Sequence, residues 1–163
     1  MKRDNRKIAF IVTMALVLAA FMLPAKTFAA GKTVMDLLGA TKAKITEVTP
    51  QQVKGEIDGG KELILLDVRD QEEFEAGHLP GAENVSRGLL EFKIGKVVPN
   101  QDADIVLYCR TGARSAFATA TLQEMGYTKV RNMDGAFKGW VEAGYPIYNR
   151  HGELLVKEFE KQE

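Results

Sequence analysis

One side chain in this sequence stands out for the chemistry it could do. Cys109 lies in Ile105-Val106-Leu107-Tyr108-Cys109-Arg110-Thr111-Gly112-Ala113-Arg114-Ser115, and it is the only cysteine among 163 residues. A cysteine reacts as the thiolate, and an ordinary thiol is mostly protonated at neutral pH. Nearby cations and the N-terminus of a helix stabilise the anion and lower the thiol pKa. Arg110 and Arg114 supply the cations, and the loop Arg110–Ser115 leads into a helix pattern. The same arginines and N–H groups suit a small anion. Neither histidine, His78 or His151, is close in sequence, though one could approach in space, and the loop alone could activate the sulfur. A free cysteine can also be a buried, inert core residue. Two arginines within five residues of it point to the reactive reading.

The elements around Cys109 follow from periodicity and punctuation. Ile105–Tyr108 is an apolar, partly β-branched run and reads as a buried strand ending at Cys109. Gly112 marks a sharp turn. A helix is predicted from Arg114 or Ser115 to Met125, with Ala118, Leu122 and Met125 on one face, stopped by Gly126. Further strands are predicted at Ile45–Val48, Leu63–Val68, Ala82–Val85 and Lys129–Met133. Thr49-Pro50-Gln51-Gln52 starts a helix, with Thr as cap and Pro in the first turn. Asp70 and Glu73 form a capping box for a short helix over Gln71–Ala76, closed by Gly77. His78–Gly81 reads as a turn, Leu89–Val97 as a helix, and Ala136–Ala143 as a helix ending before Pro146. Ala30–Lys44 is either a short helix or a loose leader. From Tyr145 the chain is a charged tail with a weak helical pattern in Leu154, Leu155 and Phe159. Short apolar strands alternating with helices imply an α/β fold with a mostly parallel sheet of about five strands covered on both faces. Cys109 then sits at the carboxyl end of a strand, where such sheets place their sites.

Composition sets the compartment. Met1–Lys7 is basic, Ile8–Leu23 is an apolar run of 16 residues, Pro24 breaks it, and Thr27-Phe28-Ala29 offers small residues to a signal peptidase. The expectation is an export signal over 1–29, cleaved after Ala29, giving a periplasmic or secreted protein with no stable membrane insertion. The run is short for a span of about 20 residues, and an uncleaved anchor is the alternative. Residues 1–29 hold five basic residues and one acidic one, which leaves 17 basic and 21 acidic residues, a net charge of −4 over the rest. That balance gives no general attraction for nucleic acid. A lone thiol in an oxidising compartment cannot form an internal disulfide and is exposed to oxidation. Its presence there argues for a use.

Three separated stretches resemble a single-domain rhodanese, a sulfurtransferase. Leu66-Asp67-Val68-Arg69 with Glu73-Phe74 and Gly77-His78-Leu79-Pro80-Gly81-Ala82 is similar to the family's N-terminal signature. Tyr108–Ser115 is similar to its active-site loop. Val130–Pro146, with Gly135, Trp140 and Gly144, is similar to its C-terminal signature. The resemblance covers Ile45–Ile147, leaving a leader (30–44) and a charged tail (148–163) outside. It implies the three-layer rhodanese-like fold and a persulfide on Cys109, with sulfur taken from thiosulfate or a related anionic donor and passed to cyanide, a thiol or a protein acceptor. The N–H groups of Arg110, Thr111, Gly112, Ala113, Arg114 and Ser115 would cradle the terminal sulfur, and Arg110 and Arg114 would bind the donor. Arg110 directly after the cysteine resembles loops that use thiosulfate. No cofactor and no metal is implied. Asp67 and Arg69 read as a buried polar network supporting the site, Trp140 as core, and Glu72, Glu73 and Glu75 as a solvated helix face.

Two other functions fit a reactive cysteine in an anion loop. Cysteine phosphatases and arsenate reductases place five residues between Cys and Arg. Here Cys109 and Arg114 enclose four, and Ser115 stands where that arginine would be. A persulfide carrier that serves one protein partner, without turnover, needs Cys109 equally.

Overall fold

The computed structural model describes residues 31–154. The expected export signal, its expected cleavage point after Ala29, and the tail residues Leu155 and Phe159 lie outside the described residues.

The sheet is built around β4 (Asp104–Tyr108). It pairs in parallel with β2 (Ile64–Asp67) on one side and β5 (Lys129–Met133) on the other, in the register Leu66↔Leu107, Asp67↔Tyr108 and Leu107↔Asn132. Strands β1 (Thr46–Val48) and β3 (Glu83–Asn84) form the edges, so the order is β1-β5-β4-β2-β3, all parallel. A central parallel strand is buried on both faces and reads as a continuous apolar run. In β4, Ile105 and Leu107 enter one core with Cys109 after them, while Val106 and Tyr108 enter the other.

Helices cover the two faces. On the first lie α4 (Leu90–Val97), which follows a tight 3-10 turn at Arg87–Leu89, and α5 (Ala113–Glu124). Leu90, Ile94, Ala118 and Leu122 are fully buried there. On the second lie α2 (Pro50–Asp58) and α6 (Ala136–Glu142), with Val53, Ala136 and Trp140 in the core. Trp140 is fully buried, as expected, and its indole N–H donates to the Pro146 carbonyl at 2.8 Å. Burying a large apolar side chain stabilises by roughly 1.5–3 kcal/mol, so the two clusters rather than surface ion pairs hold the layers together. The mostly parallel α/β sandwich expected from sequence is the fold observed.

Three local differences matter. The segment expected as helix or leader forms α1 (Val34–Lys42), capped reciprocally by Thr33 and Asp36, and it lies against α5. The start of the expected tail is a β-hairpin, β6 (Ile147–Asn149) with β7 (Gly152–Leu154), so Leu154 ends a strand and not a helix turn. His78 is not in the turn, which falls at Pro80–Gly81. His78 and Tyr148 exchange backbone hydrogen bonds at 2.8 Å in both directions, and the imidazole stacks on Phe74 at 3.9 Å. That bridge fastens the hairpin to α3 (Gln71–Ala76).

Candidate active site

Cys109 follows the last residue of β4 and is 1% exposed. Its Sγ accepts the Gly112 N–H at 3.2 Å and the Ser115 hydroxyl at 3.5 Å. Burial pushes the thiol pKa up, but the Ser115 hydroxyl and the N–H groups of Ser115, Thr111 and Gly112 outweigh it and hold the group below its ordinary value. These donors come from one tight loop closing onto α5, so the sulfur occupies a preformed anion cradle. The helix begins at Ala113, one or two residues earlier than expected, because Gly112 takes the left-handed φ of 101° as its cap. A side chain at Gly112 would be strained by that φ and tightly crowded. A Cβ there would stand 3.2 Å from the Met133 carbonyl oxygen and 3.4 Å from Asp134 Oδ1.

The far side of the loop is held by α6. The Phe137 N–H donates to the Cys109 carbonyl at 3.0 Å and the Lys138 N–H to the Arg110 carbonyl at 2.9 Å. These are first-turn donors that a helix leaves free. To aim them, the chain reverses through Gly135 (φ 76°) and Ala136 (φ 46°). Ala136 is the one non-glycine with positive φ among the described residues, and local backbone strain of this kind collects at functional sites.

Asp67 and Arg69 sit where β2 ends, beside Tyr108. Arg69 Nε lies 3.0 Å from both Asp67 oxygens, Arg69 Nη2 is 2.6 Å from Oδ2, and the Arg69 N–H adds a bond of 2.9 Å to Oδ1. Arg69 Nη2 also donates to the Gly77 carbonyl at 2.6 Å, and the guanidinium lies 4.2 Å from the Phe137 ring. Both residues are buried. The Tyr108 hydroxyl accepts the Leu79 N–H at 3.1 Å, and burial together with the Asp67 charge raises its pKa. The pair therefore forms a buried polar network at the end of β2, with Arg69 also lining the cleft beside Arg110.

The two arginines of the loop differ. The Arg114 guanidinium makes a two-point ion pair with Glu73 of α3, at 2.8 and 2.9 Å. Glu73, expected on a solvated face, also accepts the Asp70 N–H at 3.3 Å, so one carboxylate caps α3 and fixes Arg114. Arg110 is exposed, with no carboxylate partner among the described residues. It borders a cleft of about 350 Å³ walled by Phe137, Ile147 and Ala76, with Arg69, Glu73 and Gly77 completing the lining. Gly77 eases this closeness, since a Cβ there would press on Ile147 Cδ1 at 3.0 Å and shift that side chain. Sequence reading had no signal for Phe137 or Ile147 as cleft walls, because both are ordinary apolar positions until the hairpin folds back.

Residues 49–143 match the family described as the rhodanese-like domain. The chain belongs to that family. It is similar to the probable adenylyltransferase/sulfurtransferase MoeZ of Mycobacterium tuberculosis, 34% identical over 107 residues, which make up 66% of this chain and 27% of that protein. The chain thus spans about a quarter of that relative's length. It is 35% identical over 131 residues to thiosulfate sulfurtransferase 18 of Arabidopsis thaliana, covering 72% of this chain and 95% of the relative. Among solved structures it resembles a Rhodopseudomonas palustris protein described as of unknown function and a possible tyrosine phosphatase, with a TM-score of 0.68, 30% identity, and coverage of 76% and 99%. In this rhodanese-like chain the cradle offers a thiolate several converging donors, one cation without a carboxylate partner among the described residues, and a mainly apolar cleft beside it. That set suits nucleophilic attack on a small anionic or electrophilic sulfur compound.

Proposed function

We propose that the protein is an exported sulfurtransferase that takes sulfane sulfur from thiosulfate or a related anion and passes it to a thiol or cyanide. The Cys109 thiolate attacks the outer sulfur of the donor. A Cys109–sulfur bond forms, the donor's S–S bond breaks, and sulfite leaves with the bonding electron pair. An acceptor thiolate then attacks the terminal sulfur, takes it as a persulfide, and returns Cys109 as thiolate. The observation that carries this reading is the convergence of the Gly112 N–H and Ser115 hydroxyl on a buried Cys109 Sγ. The same loop would stabilise the terminal sulfur of the persulfide anion. Arg110, exposed at the cleft, would anchor the donor.

Against a phosphatase stands the loop itself. Four residues separate Cys109 from Arg114, and the Arg114 guanidinium is turned onto Glu73 rather than into the cradle.

Intact-mass spectrometry before and after thiosulfate tests the proposal. The expected result is a gain of one sulfur atom that cyanide or a thiol removes and that Cys109→Ser lacks. Loading without release to any small acceptor would favour the carrier. No gain with any sulfane-sulfur donor, together with Cys109-dependent hydrolysis of a simple phosphoester, would replace it with the phosphatase reading.

A further inference from the structure

A carboxylate stands against the loop that must hold an anion. Asp134, in the turn between β5 and α6, places Oδ1 3.4 Å from where a Cβ on Gly112 would be, and Gly112 donates its N–H to Cys109 Sγ. A negative charge there opposes the thiolate and any persulfide anion in the cradle. The same Asp134 oxygen is bound by Lys42 Nζ at 2.6 Å. Lys42 is the last residue of α1 and precedes the family match, which begins at residue 49. Its ammonium also meets Glu47 of β1 at 2.9 Å, and Glu47 accepts the Asn132 side-chain N–H at 2.8 Å. Asp134 is thus the negative group on this side of the cradle, and α1 delivers its counter-charge.

We infer that Lys42 is a positioning residue for the Cys109 cradle, compensating Asp134 so that the loop presents a net-favourable field to the sulfur anion. The inference rests on the reading that Cys109 is the reacting thiol. Burial of Lys42 disfavours its charge, but the bonds to Asp134 and Glu47 more than offset that, and the ammonium stays protonated throughout the neutral range. The remaining charges around the loop are already engaged or exposed. Arg114 is held by Glu73, Arg69 by Asp67, the Lys138 ammonium by Glu142 at 2.9 Å, and Arg110 faces the cleft. None of them reaches Asp134 within ion-pair distance among the described residues. The tether has a second consequence. No residue of α1 is fully buried, so the Lys42 contacts supply a polar anchor for a helix that lacks a buried apolar one.

The test is the pH dependence of Cys109 alkylation by iodoacetamide in the reduced full chain, for the parent, Lys42→Met, Lys42→Arg, Asp134→Asn and the double variant Lys42→Met/Asp134→Asn. Lys42→Met is expected to raise the thiol pKa by about half a unit, slowing alkylation about threefold below the pKa, the size of a partly screened charge that acts on the sulfur from beyond Asp134. Lys42→Arg restores the parent profile. Asp134→Asn lowers the pKa, and the double variant lies between the two single ones, because the two opposite charges act additively on the sulfur. No upward shift in Lys42→Met, or no downward shift in Asp134→Asn, overturns the inference. A merely structural anchor would move both single variants in the same direction, because each breaks the same contact. Alkylation needs no sulfur donor. Failure of sulfur loading with the expected alkylation pattern therefore counts against the proposed transfer and not against Lys42.

Discussion

Arg114 and Glu73 are 41 residues apart in sequence and meet in a two-point ion pair that ties the start of α5 to α3. The Glu73 carboxyl lies below the usual carboxylate range, chiefly because Arg114 donates to it, with burial opposing and the Asp70 N–H assisting. A depressed folded-state pKa contributes stability that is present above the ordinary glutamate value and is lost as pH falls through the folded one. Both side chains are more than a third exposed, at 39% and 35%, so the pair contributes at most about 1 kcal/mol. Glu73→Gln should lower the melting temperature by a few degrees at pH 7, and the deficit should shrink as pH falls through the lowered folded-state value of Glu73. A deficit that persists unchanged in acid would show that Glu73 acts through packing instead.

Arg110 is expected to act on substrate without acting on stability. Its guanidinium is exposed beside the cleft, while its backbone carbonyl is what α6 holds. Arg110→Ala should therefore melt within about 0.5 kcal/mol of the parent. Its KM for thiosulfate should rise about tenfold or more, the scale of one lost charge-assisted contact. Because that contact serves ground and transition states alike, kcat should move little. An unchanged thiosulfate dependence would remove the anchor role.

Ser115 is the side-chain donor on Cys109 Sγ, and it is fully buried. With the hydroxyl gone, burial still opposes the thiolate while only backbone donors favour it. Ser115→Ala should shift the pH profile of Cys109 alkylation upward, slowing reaction below the pKa and leaving the plateau at high pH nearly unchanged. A profile that stays in place would mean that the loop N–H groups alone set the thiol. Ser115→Thr, if its methyl fits, should keep most of the parent profile.

What was legible in the sequence was local. Cys109, Gly112 and Ser115 lie within seven residues, and a strand, a glycine turn and a helix start suffice to place their atoms together. Asp67 and Arg69 are two apart at a strand end, so their pairing needs no tertiary information. The β4 pattern also gave the layers, because Ile105–Tyr108 is apolar on both faces. What the sequence hid depends on distant chain. Glu73 looked solvated because nothing near it in sequence is its partner. The hairpin Ile147–Leu154 looked like a charged tail because its register is set by His78 pairing with Tyr148, 70 residues on. Ala30–Lys44 was open between a short helix and a loose leader, and nothing local said that Lys42 would reach Asp134, 92 residues away.

The Asp67–Arg69 pair should be the most stability-sensitive part of the site. Asp67 is fully buried and Arg69 is 4% exposed. Arg69 is the one cation on the Asp67 carboxylate among the described residues, and Arg69 in turn holds the Gly77 carbonyl and stacks on Phe137. Removing the cation leaves a buried carboxylate without its partner, which costs about 3–5 kcal/mol. Arg69→Met should lower stability by that amount in urea unfolding. Asp67→Asn/Arg69→Met, which removes both charges, should recover part of it, because the larger share of the loss is the stranded charge and not the lost attraction. If the double variant is as unstable as the sum of the single ones, the pair is not coupled in this way, and the loss lies in the packing of Arg69 between Gly77 and Phe137.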